Sequence, residues 1–315
     1  MKINKLIGNT PIVEIKVRYK NKIKNIYAKL EYYNYTGSIK DRLAQYIIQE
    51  SYKDGSLKEG MPIIEATSGN TGIAFAAIGA LYNHPVHIFM PEWASEERIK
   101  IMKLYGATVH LVSKNDGGFI GAIKKADELA REINGFRPDQ FSNKLNFLTH
   151  YNTTGKEIVK KIDKIEAFVN GVGTGGTLMG IASRIKKDFP KAKIIAMEPE
   201  NVPLLSNGEI KGSHKIEGIG DDFIPDIVNT SLIDRVITIN DNDALKMTQK
   251  LAKELGLGVG ISSGANFLAA VLSEENNIVT IFADDFKKYL STDLSLNIND
   301  ESIVDLIDIL DINGT

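Results

Sequence analysis

Asn34-Tyr35-Thr36-Gly37-Ser38-Ile39-Lys40-Asp41-Arg42 sets a lysine just after a Gly-Ser turn, at the opening of an apolar helical run (Leu43, Ala44, Ile47, Ile48). An amine in that place is held rigidly and can be stripped of water, which makes Lys40 a candidate Schiff-base nucleophile. A lone lysine at a helix start is ordinarily solvated, so the weight of this stretch comes from the motifs downstream of it. From Asp41 onward amphipathic helices alternate with short apolar runs. Pro62-Ile63-Ile64-Glu65-Ala66 precedes a helix of small apolar residues from Ile73 to Leu81, and Val86-His87-Ile88-Phe89-Met90 precedes a helix near 95–105. Thr108-Val109-His110-Leu111-Val112 then leads into a helix near 119–134. That alternation reads as a parallel α/β sheet.

Upstream, residues 1–34 read as irregular with short strands, and Gly8-Asn9-Thr10-Pro11 is a turn signal. Downstream, the polar segment 135–146, broken by Arg137-Pro138-Asp139, reads as a domain crossover. A second α/β series comes after it: helix 154–163, strand 167–170, helix 177–188, strands 194–197 and 236–239, helices 241–255 and 265–272, and strand 278–281. The expected fold is therefore α/β, with two α/β domains, parallel sheets and an interdomain cleft. Ligands in such folds sit at the carboxyl ends of the strands. The stretch from Asp293 to Thr315 has no basic residue and six acids. There Ile303, Leu306, Ile307 and Leu310 share one helical face, which predicts a short helix packed on its own chain or on a dimer mate.

Composition narrows the function. Over 315 residues, 43% apolar and 25% charged composition is that of a globular protein. A net charge of −2 gives no reason to expect nucleic acid or an anionic membrane as partner. No apolar run approaches the roughly 20 residues needed to span a bilayer. The opening Met1-Lys2-Ile3-Asn4-Lys5-Leu6 lacks the apolar core of a signal peptide, so the cytoplasm is the expected location. Without cysteine there is no disulfide, thiolate metal site or cysteine nucleophile.

Two loops carry chemistry. Glu65-Ala66-Thr67-Ser68-Gly69-Asn70-Thr71-Gly72 follows a strand and opens a helix. Its hydroxyls, glycines and unpaired helix-start N–H groups make a nest for a carboxylate or phosphate. Gly171-Val172-Gly173-Thr174-Gly175-Gly176-Thr177 lies between strand and helix and matches the dinucleotide pattern GxGxxG, with Glu198 at about the distance of a ribose-binding acid. This loop serves either a nicotinamide-dependent dehydrogenase or a site wrapping a single phosphate. A third turn, Gly260-Ile261-Ser262-Ser263-Gly264-Ala265, opens a helix where a serine caps or meets a ligand. His84 and His87 have metal-like spacing, but Pro85 between them removes the helical ligand geometry, so a structural role is expected. Trp93, the sole tryptophan, lies in a loop and reads as packing or lid.

In sequence and order, these stretches resemble the fold-type II (tryptophan synthase β-like) pyridoxal-phosphate enzymes, in particular cysteine synthase and cystathionine β-synthase. The likeness runs from Leu6-Ile7-Gly8-Asn9-Thr10-Pro11 to Lys288-Tyr289-Leu290-Ser291-Thr292. It implies pyridoxal 5′-phosphate as cofactor, held by Lys40 as a Schiff base. Asn70 would contact the ring hydroxyl, Gly173, Thr174, Gly175, Gly176 and Thr177 the phosphate, and Ser262 the pyridine nitrogen. Thr67, Ser68, Gly69, Thr71 and Gln140 would hold the substrate carboxylate. The resemblance further implies β-replacement on a small amino acid through an aminoacrylate, and a homodimer. It divides the chain into a larger cofactor-binding domain (1–34 and 146–292), a smaller mobile domain (35–145) carrying Lys40 and the carboxylate loop, and an acidic extension (293–315).

One loop departs from the family. In Glu217-Gly218-Ile219-Gly220-Asp221-Asp222-Phe223-Ile224-Pro225, O-acetylserine-dependent cysteine synthases typically carry Ala-Gly at the two central positions and cystathionine β-synthases Tyr-Asp; here both are aspartate. A carboxylate facing the nucleophile side, about 4 Å from hydrosulfide at an effective dielectric near 20, would cost on the order of 4 kcal/mol. Water suffers no such penalty and can give that carboxylate its proton. Asp221 and Asp222 are therefore candidate catalytic residues for L-cysteine plus water giving L-serine plus hydrogen sulfide. The alternatives are replacement of the serine hydroxyl by a thiol, and cysteine synthesis from O-acetylserine and sulfide.

Overall fold

The computed structural model describes residues 5–298 and 300–315; Met1 to Asn4, which open the stretch read against a signal peptide, lie outside the described residues. In chain order the strands are β1 (Ile12–Tyr19), β2 (Lys22–Leu30), β3 (Ile63–Ala66), β4 (Val86–Pro91), β5 (Thr108–Val112), β6 (Ala167–Gly171), β7 (Lys193–Pro199), β8 (Arg235–Ile239), β9 (Asn277–Phe282) and β10 (Ile307–Gly314). The helices are α1 (Lys40–Asp54), α2 (Asn70–Leu81), α3 (Glu96–Leu104), α4 (Gly118–Glu132), α5 (Lys144–Asn152), α6 (Thr154–Lys161), α7 (Gly176–Asp188), α8 (Asp241–Leu255) and α9 (Ile261–Leu272).

Two sheets organise the chain. The larger runs β10-β1-β2-β9-β6-β7-β8 and the smaller β3-β4-β5. In the larger sheet β2, β9, β6, β7 and β8 pair in parallel, with β1 antiparallel to β2; the smaller sheet is parallel throughout. Strands β6 and β9 read as continuous apolar runs because helices cover both faces. One core joins Ile26, Val169, Ile195 and Ile278 to Leu245, Phe267 and Leu268 of α8 and α9. Another joins Phe168, Ile194 and Val279 to Leu178, Ile181 and Ile185 of α7. The small sheet buries Ile63 and Ile88 against Ile47, Phe75 and Met102 on one side, and Ile64 and Phe89 against the alanines of α4 on the other.

Two expectations are corrected and one is refined. Residues 12–30 are not irregular: β1 and β2 form a long hairpin around Lys20 and Asn21, both at positive φ, the geometry of a two-residue turn that matches strand twist. The segment taken as a crossover ends in helix α5, capped by Asn143, whose side chain accepts the Leu145 N–H at 2.9 Å. The acidic extension is not a helix packed by one face. Ile303–Leu306 forms a single 3-10 turn with a capping box from Ser302 and Asp305. Strand β10 then runs antiparallel to β1, with a register shift between Lys16 and Val17. Pairing passes from Val17–Ile309 to Lys16–Asp311, so Leu310 is the extra residue of a β-bulge. Among the described residues, no helix is long and apolar enough to cross a membrane.

Candidate functional site

The carboxyl ends of β6, β9 and β3 open onto one cavity, with about 860 Å³ of empty space including its mouth. Lys40 is the first residue of α1, and the chain before it is tightly pinned. Gly37 takes φ +82, a conformation open to glycine, and its carbonyl accepts from Lys288 Nζ at 2.8 Å. The Ile39 N–H donates to Ala283 O at 2.9 Å, tying the stretch to the end of β9. Buried Asp41 accepts the Thr36 N–H at 2.7 Å and the Thr36 hydroxyl at 2.5 Å. Next along, Arg42 is locked between Glu31 and Glu157, at 2.6 and 2.7 Å, so the start of α1 is nailed to the large sheet. Burial lowers the Lys40 amine below its ordinary value, with Asp221 and Asp284 partly opposing. That favours a neutral, nucleophilic amine.

The carboxylate-nest loop arrives from β3. Thr71 Oγ1 donates to Gln140 Oε1 at 2.7 Å, and Gln140 Nε2 to Ala66 O at 3.0 Å, so both side chains are fixed around the loop. Arg137, paired with buried Glu65, holds the neighbouring chain. Asn70 Nδ2 donates to Asp284 Oδ2 at 2.8 Å, which also accepts from Tyr289 OH at 2.7 Å. Asn70 Oδ1 and Asp284 Oδ1 are buried without a partner.

From the opposite side comes the glycine loop after β6. Gly175 sits at φ +83, and a Cβ there would lie 2.5 Å from Val228; one on Gly173 would lie 2.6 Å from Gly218 O, and one on Gly176 2.0 Å from Asn146 Oδ1. The backbone is thus bare where an anion can approach. Asn146 Nδ2 donates to Thr174 Oγ1 at 2.8 Å. His150 bridges Thr177 Oγ1 at 3.3 Å and Thr154 Oγ1 at 3.0 Å. Burial, with Lys40 and Arg42 nearby, pushes that imidazole well below its usual range, so it is neutral. Asn146 and His150 sit on α5, a helix that the sequence pattern did not predict, which is why neither emerged as a candidate.

Lys40, the Thr67–Thr71 loop, Gln140, Gly173, Thr174, Gly175, Thr177, Asp221 and Ser262 all line this cavity. Gly176 lies beneath it. The two aspartates separate: Asp221 lines the cavity with Lys40, whereas Asp222 is exposed and lines only a wider outer cavity beyond. Burial pushes the Asp221 carboxyl up to about 6, with Lys40 opposing and Asp222 adding to the rise.

Buried unpartnered acceptors beside a lysine, together with a side-chain-free loop bearing hydroxyls, fit pyridoxal phosphate. The sequence matches the model of the pyridoxal-phosphate dependent enzymes over residues 3–284. The chain belongs to that family. Cysteine synthase of Staphylococcus aureus is 41% identical over 93% of this chain and 96% of its own, and cysteine synthase B of Campylobacter jejuni is 44% identical over 93% and 98%. Among solved structures, a hydrogen sulfide-producing enzyme from Fusobacterium nucleatum is 47% identical, with a TM-score of 0.93 over 100% of this chain and 98% of its own. An aspartate-to-asparagine mutant of a hydrogen sulfide-producing enzyme, complexed with an α-aminoacrylate intermediate, is also 47% identical, with a TM-score of 0.95 over the same shares. The chain is thus a pyridoxal-phosphate enzyme of the cysteine synthase family, and the dehydrogenase alternative falls. Glu198, the would-be ribose acid, instead accepts from Leu205 N, Ser206 N and Ser206 Oγ at 2.8, 3.1 and 2.5 Å.

His84 is structural: its ring nitrogens meet Tyr52 OH at 2.6 Å and Met61 O at 2.7 Å. His87 stacks on His110. No cluster of three metal-ligating side chains occurs among the described residues.

Proposed function

We propose that this enzyme converts L-cysteine and water to L-serine and hydrogen sulfide. The observation that carries the reading is Asp221, a carboxylate inside the cavity with Lys40, where the family resemblance leads one to expect a small neutral residue in an O-acetylserine-dependent enzyme. Pyridoxal phosphate, when bound, withdraws electrons from the substrate's Cα, easing loss of the α-proton and then of the group on Cβ.

The chain's own residues do the rest. Lys40 would hold the cofactor, and its amine, free while substrate is bound, would take the α-proton. The Thr67–Thr71 loop and Gln140 bind and orient the substrate carboxylate, and Asn70 and Ser262 meet the ring. Gly173 to Thr177 hold the phosphate through backbone N–H groups and hydroxyls set by Asn146 and His150. The Cβ–S bond breaks and sulfur leaves as hydrosulfide, which the negative charges of Asp221 and Asp222 repel. Water then forms the new Cβ–O bond and gives its proton to Asp221. Lys40 returns the proton to Cα. Asp221 then releases the proton taken from water, which converts the departed hydrosulfide to hydrogen sulfide, so that cysteine and water go in, serine and hydrogen sulfide come out, and the carboxylate is restored.

A residue with its midpoint near 6 is ionised at neutral pH and still basic enough to accept a proton. The sulfide-producing relative of known structure supports this direction, and the bound intermediate in an aspartate-to-asparagine variant supports a carboxylate's part in it. A homodimer in the cytoplasm belongs to the same proposal. Product analysis on the cofactor-loaded enzyme tests it, comparing L-cysteine alone with O-acetylserine plus sulfide. Serine and sulfide from cysteine, with poor use of O-acetylserine, are expected. Efficient cysteine formation without serine would instead make this an ordinary cysteine synthase.

A further inference from the structure

Arg98 is a cation without a role in the chemistry so far, yet it lies where the carboxylate nest, Tyr289 and the loop of Asp221 meet. It sits on α3 and is 2% exposed. A guanidinium buried at such a depth is costly unless it has partners. Its Nη1 pairs with Glu217, four residues before Asp221 on the same loop. Its Cζ lies 4.7 Å from the centre of the Tyr289 ring, in cation–π contact. Tyr289 in turn donates to Asp284, which holds Asn70.

The aliphatic part of Arg98 packs under the carboxylate nest. A Cβ on Gly69 would fall 2.5 Å from Arg98 Cδ and 2.6 Å from its Nε, so that position of the nest is glycine because the arginine fills the space. The Arg98 Nε is buried without a partner. One side chain thus touches the substrate-carboxylate loop, the Asp284–Tyr289 pair behind the ring site, and the loop that carries Asp221. The chain from Glu217 to Asp221 is otherwise anchored by Ile219 on the main core and by Gly220, whose N–H donates to Val172 O at 2.9 Å and whose carbonyl meets His214 Nε2 at 3.0 Å.

The geometry points to Arg98 and Glu217 as positioning residues that tie the seat of the substrate carboxylate to the placement of Asp221. Their ion pair sets where the Asp221 carboxylate stands only when the nest rests on Arg98. Neither residue touches the reacting atoms; they act through the loop. This rests on the reading of Asp221 as the group that accepts water's proton. A surface pair would contribute little, but this pair has a fully desolvated member, and losing its partner leaves a buried charge that must move the loop.

The test separates positioning from folding and from the functional reading. Glu217→Gln keeps shape on the more exposed side of the pair, Arg98→Lys keeps charge but not the planar fork, and the double variant closes a cycle. For serine formation from cysteine, each single variant is expected to lower kcat about tenfold with KM changed less than about threefold, the double variant being no worse than Arg98→Lys. The second readout needs no turnover. Trp93 stands just before α3 and lines the outer cavity with Glu217 and Asp221, so its emission reports how α3 meets the loop. Saturating L-serine should shift that emission in the wild type and much less in either single variant, while the visible band of the resting, lysine-bound cofactor is the same in all three. Additive losses in the double variant, or variants with wild-type kcat and wild-type Trp93 response, would overturn the assignment. If the wild type makes no serine, the reading of Asp221 fails, whereas a Trp93 response that both variants lose would still uphold the tie between nest and loop.

Discussion

The two walls of the cavity are built differently. The cofactor wall consists of strand ends and helix starts: the glycine loop between β6 and α7, and Lys40 between the end of β9 and α1, backed by Arg42 with Glu31 and Glu157. The wall assigned to the nucleophile in the proposed function is the loop 217–225, outside any helix or strand and held by the Glu217 ion pair, by Gly220 N donating to Val172 O, and by Ile219 and Phe223, which pack on the main core and on Phe141. On the proposed function, strand ends and helix starts hold the cofactor chemistry common to the family, and a loop outside regular structure selects what attacks Cβ. Reaction type and reaction identity are therefore separable in this molecule.

Substitutions on each wall should fail in different ways. Lys40→Ala should abolish turnover, by more than about 10⁴-fold, together with the visible band of the lysine-bound cofactor; turnover surviving without that band would break the comparison at its base. Gly175→Ala, forced to keep φ +83 against Val228, should weaken cofactor retention by at least about tenfold while L-serine affinity of the fully loaded enzyme stays near normal. Dialysis followed by absorbance would show it. On the loop side, the pH profile should be set by Asp221. Its folded midpoint is raised to about 6, and the ionised form is the base. Serine formation should therefore be full above that midpoint and fall as pH drops through it. The smallest effect is the most discriminating: Asp222→Asn should move that midpoint down, because Asp222 is one of the charges holding it up, with less than about threefold change in the rate at neutral pH.

Much of the cofactor wall was legible in sequence because its signals are local. The Gly-Ser turn before Lys40 and the glycine-hydroxyl loops each lie within ten residues, and each follows or opens a regular element. Asp221 and Asp222 stood out as a pair, but adjacent residues on an irregular loop give no sign of which one turns inward; burial decides that. Arg98 and Glu217 carry no local signal at all, since each is an ordinary charged residue until the fold brings α3 to the loop. His150 and Asn146 were missed with α5, whose polar, weakly patterned sequence gives no clear helix signal. Strand β10 misled for a physical reason. The bulge at Leu310 breaks the two-residue alternation of Ile307, Ile309 and Ile312, leaving apolar residues at helix-like spacing.

The central claim is that Asp221, and not its neighbour, accepts the proton of an attacking water. Its most direct test is the rate of L-serine formation from L-cysteine by cofactor-loaded wild type, Asp221→Asn and Asp222→Asn at pH 8, with bound cofactor matched by absorbance. Loss of about 100-fold or more in Asp221→Asn alone is the predicted result. Serine formed by Asp221→Asn at the wild-type rate would contradict it.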